Sequence, residues 1–567
     1  MSNEIEKNYD VILTGNDMTS SLIAAASSRA GKKVLLVDCF DKGSRRFPRE
    51  WSSIKLFELI CAEVLLNRSI ESFDSITDSS QEDHLLKCHP SGLLFNAKIY
   101  QSNLFEDKKK FKEFLVKNMR NQSKIDEFIQ RFNDYYYQSL KSAKDSTEAD
   151  KFLTELREEF PFFNSFSNNF TIDLTPRILQ ANGLLTDLLI KSNITRYLTF
   201  QKVSRLLTFV KQNDETYKLV NVPCTRNDIF KSNEISLKEK RLLMKILHYI
   251  NDYDKEPKKF EEFENVPFSE FISNFFSRQD QQMPEIVSDI LLNAVLMCDK
   301  TFKTGDALKK FSKFMNAIGR FADRPYLAPD YGTDDVVQAF CRYSSVYGGV
   351  YCLDTKMNSI IMDSKHSKVI SVELEGYGIL ECEHLVSNYR INLPQTNSGA
   401  KSIMSRAITC SKKSILTYRE NECFLTFLYV PENISGTVPV YIFETNVATH
   451  ACTSSLHVQY YWSNSGSDKA EDDLKPIIER LFDKDLISLI DNDELLWCLF
   501  YNQNSLKPEY ENLPQNLHIV SPPVNEIDYD YVVKEAERIF LKMFPNEEFF
   551  PQTKEPTGYD DIEDEDA

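Results

Sequence analysis

The segment Tyr9-Asp-Val-Ile-Leu-Thr-Gly-Asn-Asp-Met-Thr-Ser20, followed by Lys33-Val-Leu-Leu-Val-Asp38, decides the fold class of this chain. In it an apolar run ends at Gly15, a stretch of small residues follows, and a second apolar run ends at Asp38. This order is typical of a strand, a helix and a second parallel strand in a dinucleotide-binding sheet. In such units the final acid, about 20 residues further on, binds a ribose hydroxyl. We therefore predict a Rossmann-like α/β fold.

Two of the three glycines that let such a unit bind a cofactor are missing. The G-x-G-x-x-G spacing requires three glycines, but the chain has Gly15, Asp17 and Ser20 at these positions. The second glycine lets the backbone approach a pyrophosphate, and a carboxylate there adds bulk and like-charge repulsion. We expect a Rossmann-type scaffold that binds no dinucleotide and needs no cofactor. The alternative is an ordinary strand–helix–strand unit that never bound one.

Composition and charge limit the possible functions. Of the 567 residues, 42% are hydrophobic and 12% aromatic, which indicates a folded protein long enough for two or more domains. The net charge of −18 disfavours nucleic acid and anionic membranes as primary partners, because both require a basic surface. We expect no nucleic-acid binding.

The same sequence indicates a cytosolic protein. Acidic residues precede the first apolar run, and no apolar stretch approaches the roughly 18 residues of a membrane span. The 12 cysteines form no C-x-x-C pair, so we expect reduced thiols and no metal site.

The chain divides into regions of different composition. We predict a discontinuous large domain at 1–251 and 323–550, with a charged helical insertion at about 100–160. Residues 252–322 contain only amphipathic helical patterns, one of them from Pro284 to about Cys298, and are predicted to form a small helical domain. The acidic tail 553–567 is expected to be disordered.

Three longer motifs together resemble one protein superfamily. They are Ile172-Asp-Leu-Thr-Pro-Arg-Ile-Leu-Gln-Ala-Asn-Gly183, Ile194-Thr-Arg-Tyr-Leu-Thr-Phe200, and Arg324-Pro-Tyr-Leu-Ala-Pro-Asp-Tyr-Gly332 continued by Val346-Tyr-Gly-Gly-Val-Tyr-Cys352. This combination resembles the superfamily of Rab GDP dissociation inhibitors and Rab escort proteins, over about 8–60 and 165–545. The resemblance implies an FAD/NAD(P)-binding-like large α/β domain with a β-rich part, plus a small all-helical inserted domain.

The C-terminal residues 495–550 are more similar to the escort branch of this superfamily. That resemblance implies an accessory protein without catalysis of its own. It would bind unprenylated, GDP-bound Rab GTPase, present the Rab to the Rab geranylgeranyltransferase heterodimer, shield the geranylgeranyl lipid, and deliver the product to membranes in a transient association. A GDP dissociation inhibitor that recycles prenylated Rab is the alternative, and an FAD-dependent oxidoreductase is a remote one.

The resemblance also implies two Rab-binding regions. The Rab-binding platform of the superfamily matches Glu239, Lys240 and Arg241, with Phe47 as a stand-in for a second element of the platform. A charged, solvated helix face is the alternative for the first three. The region that binds the Rab C-terminus matches Tyr331, Gly332, Gln338, Phe340 and Arg342, where Phe340 could line an apolar groove or belong to the core.

The helical region is implied to bind the lipid and the transferase. Branched and thioether side chains suit an isoprenoid, although residues at this spacing are as often core. The lipid candidates are Ile290, Leu291, Val295, Phe311 and Met315. The transferase would contact an exposed phenylalanine and a nearby basic group, and the best matches are Phe268, Phe271 and Arg278.

Overall fold

The computed structural model describes a defined part of the chain. The described residues are 5–15, 17–37, 53–54, 85–87, 94–101, 170–213, 216–251, 253, 255–277, 283–353, 355, 357–387, 403–416, 424–453, 456–505, 513–522 and 524–551. The predicted roles of Phe47, Asp38 and Arg278 therefore lie outside the described residues, as do most of the 100–160 insertion and the 553–567 tail.

A parallel sheet forms from the N-terminal sequence. The central strand β1 (Asn8–Thr14) lies between β2 (Val34–Val37) and β15 (Gly378–Ser387), and both pairings are parallel. Two short parallel strands, β12 (Val350–Cys352) and β21 (Leu517–Ile519), extend it on the β2 and β15 sides. Helix α1 (Met18–Arg29) connects β1 to β2. The predicted strand–helix–strand unit is therefore confirmed, and its strands are buried, with α1 and the helices Thr333–Val346 and Asp530–Met543 packed on one face.

An antiparallel extension continues this sheet beyond β15. Its strands are β14 (Val369–Leu374), β13 (Met357–Met362) and β4 (Leu85–Lys87), in that order. The first half of β15 pairs with β14, while its second half pairs with β21. One ten-residue strand thus joins the parallel and antiparallel parts.

A second, mostly antiparallel sheet of eight strands forms the β-rich part. In spatial order its strands are β10 (Thr216–Asn221), β9 (Arg205–Asn213), β17 (Thr426–Val430), β18 (Val440–Thr445), β19 (His457–Asn464), β16 (Ile403–Ser411), β20 (Leu495–Asn504) and β5 (Leu94–Gln101). Side chains alternate between two cores: Tyr460 and Trp497 belong to one, and Tyr461 and Cys498 to the other. Both faces of this sheet are therefore buried.

Helices are the main elements among the described residues between 255 and 322, and no β-strand is found there, as predicted. The helices that cover one face of the second sheet are α4 (Leu237–Asn251), α5 (Phe268–Ser277), α6 (Glu285–Asp289), a π-helix (Ile290–Leu296) and α7 (Thr304–Ala317). They share one apolar cluster with strands of that sheet. Their status as a separate domain at 252–322 stays a prediction.

The helix predicted from Pro284 to about Cys298 is present over 285–296, but it changes type within the segment and is not amphipathic throughout. The α-helix ends at Asp289, and the next seven residues form the π-helix, which stops where Met297 takes a left-handed conformation (φ 50°). All seven are buried, so this segment has no solvent face and no amphipathic stripe. The sequence pattern marked the helical segment but not its change of helix type.

The remaining elements pack around the two sheets. The strands are β3 (Ser53–Ile54), β6 (Ile172–Asp173), β7 (Leu179–Gln180), β8 (Phe200–Lys202) and β11 (Tyr326–Pro329), and the helices are α2 (Leu184–Lys191), α3 (Arg226–Lys231), α8 (Thr333–Val346), α9 (Glu432–Ser435), α10 (Ala470–Phe482), α11 (Leu486–Asp491) and α12 (Asp530–Met543). Helices α1, α8 and α12 share an apolar cluster beside the parallel sheet. Among the described residues no helix is both long and apolar enough to cross a membrane.

Candidate partner-binding surfaces

Asp17, which replaces the second glycine of the G-x-G-x-x-G spacing, lies where a dinucleotide-binding unit holds the pyrophosphate. Asp17 is buried and caps helix α1: its Oδ1 accepts from the Ser20 backbone N–H at 2.9 Å and its Oδ2 accepts from the Ser20 hydroxyl at 2.8 Å. In dinucleotide-binding proteins the pyrophosphate lies at this helix N-terminus. An internal carboxylate thus takes the position and the donors that the phosphates need, so these residues do not fit a dinucleotide.

Replacing Asp17 tests whether the carboxylate serves the helix. In Asp17→Ala the cap is lost, and we expect the free energy of unfolding to fall by about 0.5–2 kcal/mol in urea denaturation. Asp17→Asn is the matched control, because an asparagine oxygen still caps the helix. Visible flavin absorbance in the purified wild-type protein would contradict the conclusion that these residues do not fit a dinucleotide.

The helix that carries the predicted C-terminus-binding residues is capped by a distant strand. Gly332, at φ 82°, precedes helix α8, and the backbone N–H of Thr333 donates to Oδ2 of Asp173 in strand β6 at 2.8 Å. A Cβ on Gly332 would lie 3.1 Å from the same oxygen, so glycine is required both by the backbone angle and by this approach. The Thr333 hydroxyl also bonds the Tyr529 hydroxyl at 2.8 Å. The helix start is thereby fixed to two other parts of the chain.

Burial raises the pKa of the Asp173 carboxyl to about 6, although the N–H of Thr333 lowers it. In the unfolded chain this carboxyl titrates at about 3.9, so the folded state binds its proton more tightly. Its ionisation therefore reduces stability as the pH rises from about 4 through about 6.

Asp173→Asn should remove this part of the pH dependence. The amide oxygen still accepts from Thr333, but it does not ionise, so the variant should gain stability relative to the wild type as the pH rises from about 4 to about 7. Urea midpoints of both proteins across this range measure the effect. A difference between them that does not change with pH would contradict it.

The exposed face of α8 brings several predicted residues together. Gln338 and Arg342 lie one turn apart and are exposed, and the Arg342 guanidinium lies 4.7 Å from the centre of the Tyr197 ring. Near the helix start, half-exposed Tyr331 stacks on His450, with ring centres 4.5 Å apart and planes 8° from parallel. These five residues are called the α8 face below.

The structure corrects one member of the predicted set and adds two. Phe340 is fully buried and packs edge-on against Phe550, so it belongs to the core and lines no groove. It points inward because it lies two positions from exposed Gln338 and Arg342, on the opposite side of the helix. Tyr197 lies within the motif at residues 194–200, but no role was predicted for it from the sequence. No feature of the sequence around His450 indicates a binding residue.

Two of the three predicted platform residues have structural roles at the start of α4. Glu239 accepts from the backbone N–H of Ser236 at 2.8 Å while the Ser236 hydroxyl accepts from the N–H of Glu239, which is a capping box. The Lys240 ammonium donates to the carbonyls of Phe230 and Ser232 at the end of α3. Their part in partner binding stays a prediction.

The third platform residue lies in an exposed apolar patch. Arg241 is exposed, and Leu237, one turn before it on the same side of α4, is 72% exposed. Phe230, whose carbonyl bonds Lys240, is 70% exposed. Phe230, Leu237 and Arg241 are called the α4 patch below. Sequence reasoning missed the two apolar members, because an apolar residue gives no sign that it faces solvent.

Comparison with known proteins decides the family. A sequence profile of the GDP dissociation inhibitor family matches residues 119–489, well over half of the chain. This chain belongs to the GDP dissociation inhibitor family. Its structure is similar to that of Rab GDI from Plasmodium falciparum, with a TM-score of 0.60 and 14% identity over 96% of this chain and 100% of that chain. At this identity the likeness shows the fold, and it confirms the predicted fold class.

Curated relatives within the family carry a more specific description. The chain is 32% identical over 406 residues to the Mus musculus protein described as Rab proteins geranylgeranyltransferase component A 2, which covers 69% of this chain and 62% of that relative. The match with the Homo sapiens protein of the same description is 25% identical over 631 residues and covers 98% of this chain and 93% of that relative. The first match thus spans less than two thirds of its relative's length, and the second nearly all of it.

In this family member the lipid candidates are packed as core. Ile290, Leu291 and Val295 come from the π-helix and Phe311 from α7, and each is at most 9% exposed, while Met315 packs against them half-buried. The ammonium of Lys310 on α7 donates to the Leu296 carbonyl at 2.9 Å and closes the π-helix end. A lipid at these residues therefore requires the π-helix and α7 to separate.

The predicted exposure of Phe268 and Phe271 is wrong. They are 0% and 3% exposed, and Phe271 packs against Tyr249 and Phe263 at ring-centre distances of 6.3 and 5.1 Å. The apolar residues of α5 recur every three or four positions, which turns both rings toward α4 and the core. A direct role at the transferase interface thus needs another residue, and Arg278 lies outside the described residues.

Truncating Phe268 should reduce stability rather than weaken an interface. We expect Phe268→Ala to lower the free energy of unfolding by about 3–5 kcal/mol, because it leaves a cavity in the core. The control is Asn274→Ala on the exposed side of the same helix, where the change should stay within about 0.5 kcal/mol. Equal unfolding midpoints for both variants would contradict the buried position.

Proposed function

We propose that this chain is a Rab escort protein. It binds unprenylated, GDP-bound Rab GTPase, presents the Rab C-terminal cysteines to Rab geranylgeranyltransferase, and accompanies the prenylated product to the membrane. The observation that carries the proposal is the nearly full-length similarity to a relative described as Rab geranylgeranyltransferase component A. This similarity includes β20 and α12, which belong to the C-terminal residues 495–550. In sequence these residues resemble the escort branch more than the GDP dissociation inhibitors.

In this proposal the chain assists a reaction and does not catalyse one. The anion site of the fold is filled by Asp17, so the chain lacks the cofactor site on which the redox relatives of this fold depend. The transferase supplies the chemistry, and this protein supplies binding and orientation.

The α4 patch contacts the folded body of the Rab. Phe230 and Leu237 are large, exposed apolar side chains, and Leu237 lies one turn before exposed Arg241 on the same side of α4; aromatic and arginine side chains are enriched in interfaces. The capping roles of Glu239 and Lys240 hold this turn rigid, which reduces the entropy cost of binding.

The α8 face binds the extended Rab C-terminal tail. Tyr331 and His450 form a flat aromatic surface, and Gln338 and Arg342 provide donors along the helix that can bond carbonyls of an extended peptide. Because Asp173 fixes the helix start, these donors keep their positions relative to the aromatic pair.

The helical region takes up the geranylgeranyl chain. Its apolar interior between the π-helix and α7 offers branched and thioether side chains that pack well against an isoprenoid. A π-helix is a less stable arrangement than an α-helix, so this wall is the part of the region that can rearrange at least cost. Shielding the lipid in this way lets the protein remain cytosolic and meet membranes only on delivery.

The deciding experiment measures geranylgeranyl transfer to a GDP-loaded Rab by the transferase heterodimer, with and without this protein. Transfer that depends on the chain supports the proposal. Extraction of prenylated Rab from membranes without any effect on transfer would instead identify a GDP dissociation inhibitor.

Two charge-reversal variants distinguish the role of the α4 patch from that of the α8 face. Arg241→Glu should weaken binding of full-length and tail-truncated Rab alike, by roughly tenfold, because it alters the body contact. Arg342→Glu should weaken full-length Rab by a similar factor but leave the truncated Rab unchanged. Binding is measured by fluorescence titration, with Lys534→Glu on the exposed side of α12 as the charge-matched control. Equal effects of both variants on the truncated Rab would refute the assignment of the α8 face.

A further inference from the structure

A cavity of about 270 Å³ lies between the edge strand β21 and helix α12. Strand β21 pairs only with β15 among the described strands, so its other side borders this cavity. Leu517, His518, Ser521, Arg538, Ile539 and Lys542 are among the residues that line it. The cavity shares no residue with the α4 patch, the α8 face or the lipid candidates, so Rab binding as proposed above does not use it.

The charged lining of this cavity is mainly basic, although the protein carries a net charge of −18. Lys542 and Arg538 lie one turn apart on α12. Glu535 pairs with Arg538 at 2.8 and 2.9 Å and accepts from the Ser521 hydroxyl at 2.7 Å, so it fixes the Arg538 side chain in place. Lys542 is exposed and has no ion pair among the described residues, which leaves its charge available to a ligand.

Behind the cations lies a pair of imidazoles. His518 is buried, and its Nε2 lies 3.3 Å from Nδ1 of His384 in β15. Burial and the nearby charges of His384, Lys542 and Arg538 lower the pKa of His518 to about 3, so both cations face a neutral ring at physiological pH. The cavity therefore combines the charge of Lys542, unpaired within the described part of the chain, with an arginine that Glu535 holds in place and with a neutral imidazole pair.

The other walls of the cavity are apolar. Leu517 and Ile539 line it together with Leu513. A cavity of this size is slightly smaller than typical pockets for drug-sized ligands, so the occupant is small. The Lys542 ammonium, and the guanidinium N–H groups of Arg538 that Glu535 leaves unpaired, suit the acceptor oxygens of a phosphate, and the apolar wall suits a short hydrocarbon stem.

We propose that this cavity binds the phosphate of a small amphiphilic phosphate ester, with the ester's apolar stem against Leu513, Leu517 and Ile539. The same chemistry occurs in soluble phosphate esters and in phospholipid head groups. Leu541, the chain neighbour of Lys542, is 40% exposed and provides an apolar contact for a lipid surface.

Calorimetric titration of the full chain with butyl phosphate tests the site directly. We expect saturable one-to-one binding that is at least tenfold weaker in Lys542→Glu, and unchanged in Lys534→Glu, which reverses an exposed charge on the same helix outside the cavity. Because Lys542 is exposed, its variant should fold normally and should support Rab prenylation as the wild type does. Imidazole NMR signals of His518 and His384 should move on addition of butyl phosphate, since the new charge lies next to the pair.

A second arm distinguishes the two sources of the phosphate. Phosphatidylcholine vesicles with and without phosphatidic acid are sedimented with each protein. Binding of butyl phosphate alone assigns the cavity to a soluble ester, while additional Lys542-dependent binding to phosphatidic acid vesicles assigns it to a head group. No saturable binding of either ligand, or equal affinities in Lys542→Glu and Lys534→Glu, would overturn the proposal.

Discussion

The hydrogen bond from the Thr333 backbone N–H to the Asp173 carboxylate fixes the start of helix α8, which carries the proposed binding residues Gln338 and Arg342. Strand β6, the start of α8 and Tyr529 before α12 meet at this point, although they come from three separate parts of the chain. The carboxylate is buried, and its charge is stabilised chiefly by the unpaired N–H group of the helix start. Without that bond the helix that carries Gln338 and Arg342 would lose its fixed start, and the α8 face its geometry.

A second buried carboxylate explains how a dinucleotide-binding fold can serve another purpose. Asp17 accepts from the Ser20 backbone N–H at the start of α1, the position where a dinucleotide-binding unit holds a pyrophosphate. The parallel sheet and its small-residue helix are kept, because α1 must still pack closely against α8 and α12. In this arrangement the fold acts as a rigid support, and the surfaces proposed to bind partners lie on elements outside the first strand–helix–strand unit.

Parts of the candidate site were predictable because they follow from local pattern. The spacing of Gln338 and Arg342 places them on one helix face, and Arg241 lies on the polar side of an amphipathic helix, which faces solvent. Phe340 and Phe268 were assigned to partner contacts, but both are core, because an aromatic residue in an amphipathic helix carries no local mark of what covers it. His450 joined the α8 face only through a contact between residues 119 positions apart in the chain.

The sequence by itself determined the Rossmann-like unit, the loss of its cofactor-binding glycines and the helical character of the region near 252–322, since each depends on the periodicity or identity of neighbouring residues. Only the tertiary structure decided which apolar side chains are exposed, where the helix after Asp289 changes to a π-helix, and how Arg538 and Lys542 come to face a cavity beside His518. These features depend on burial and on contacts between distant segments, and the energy of such contacts is absent from any local pattern.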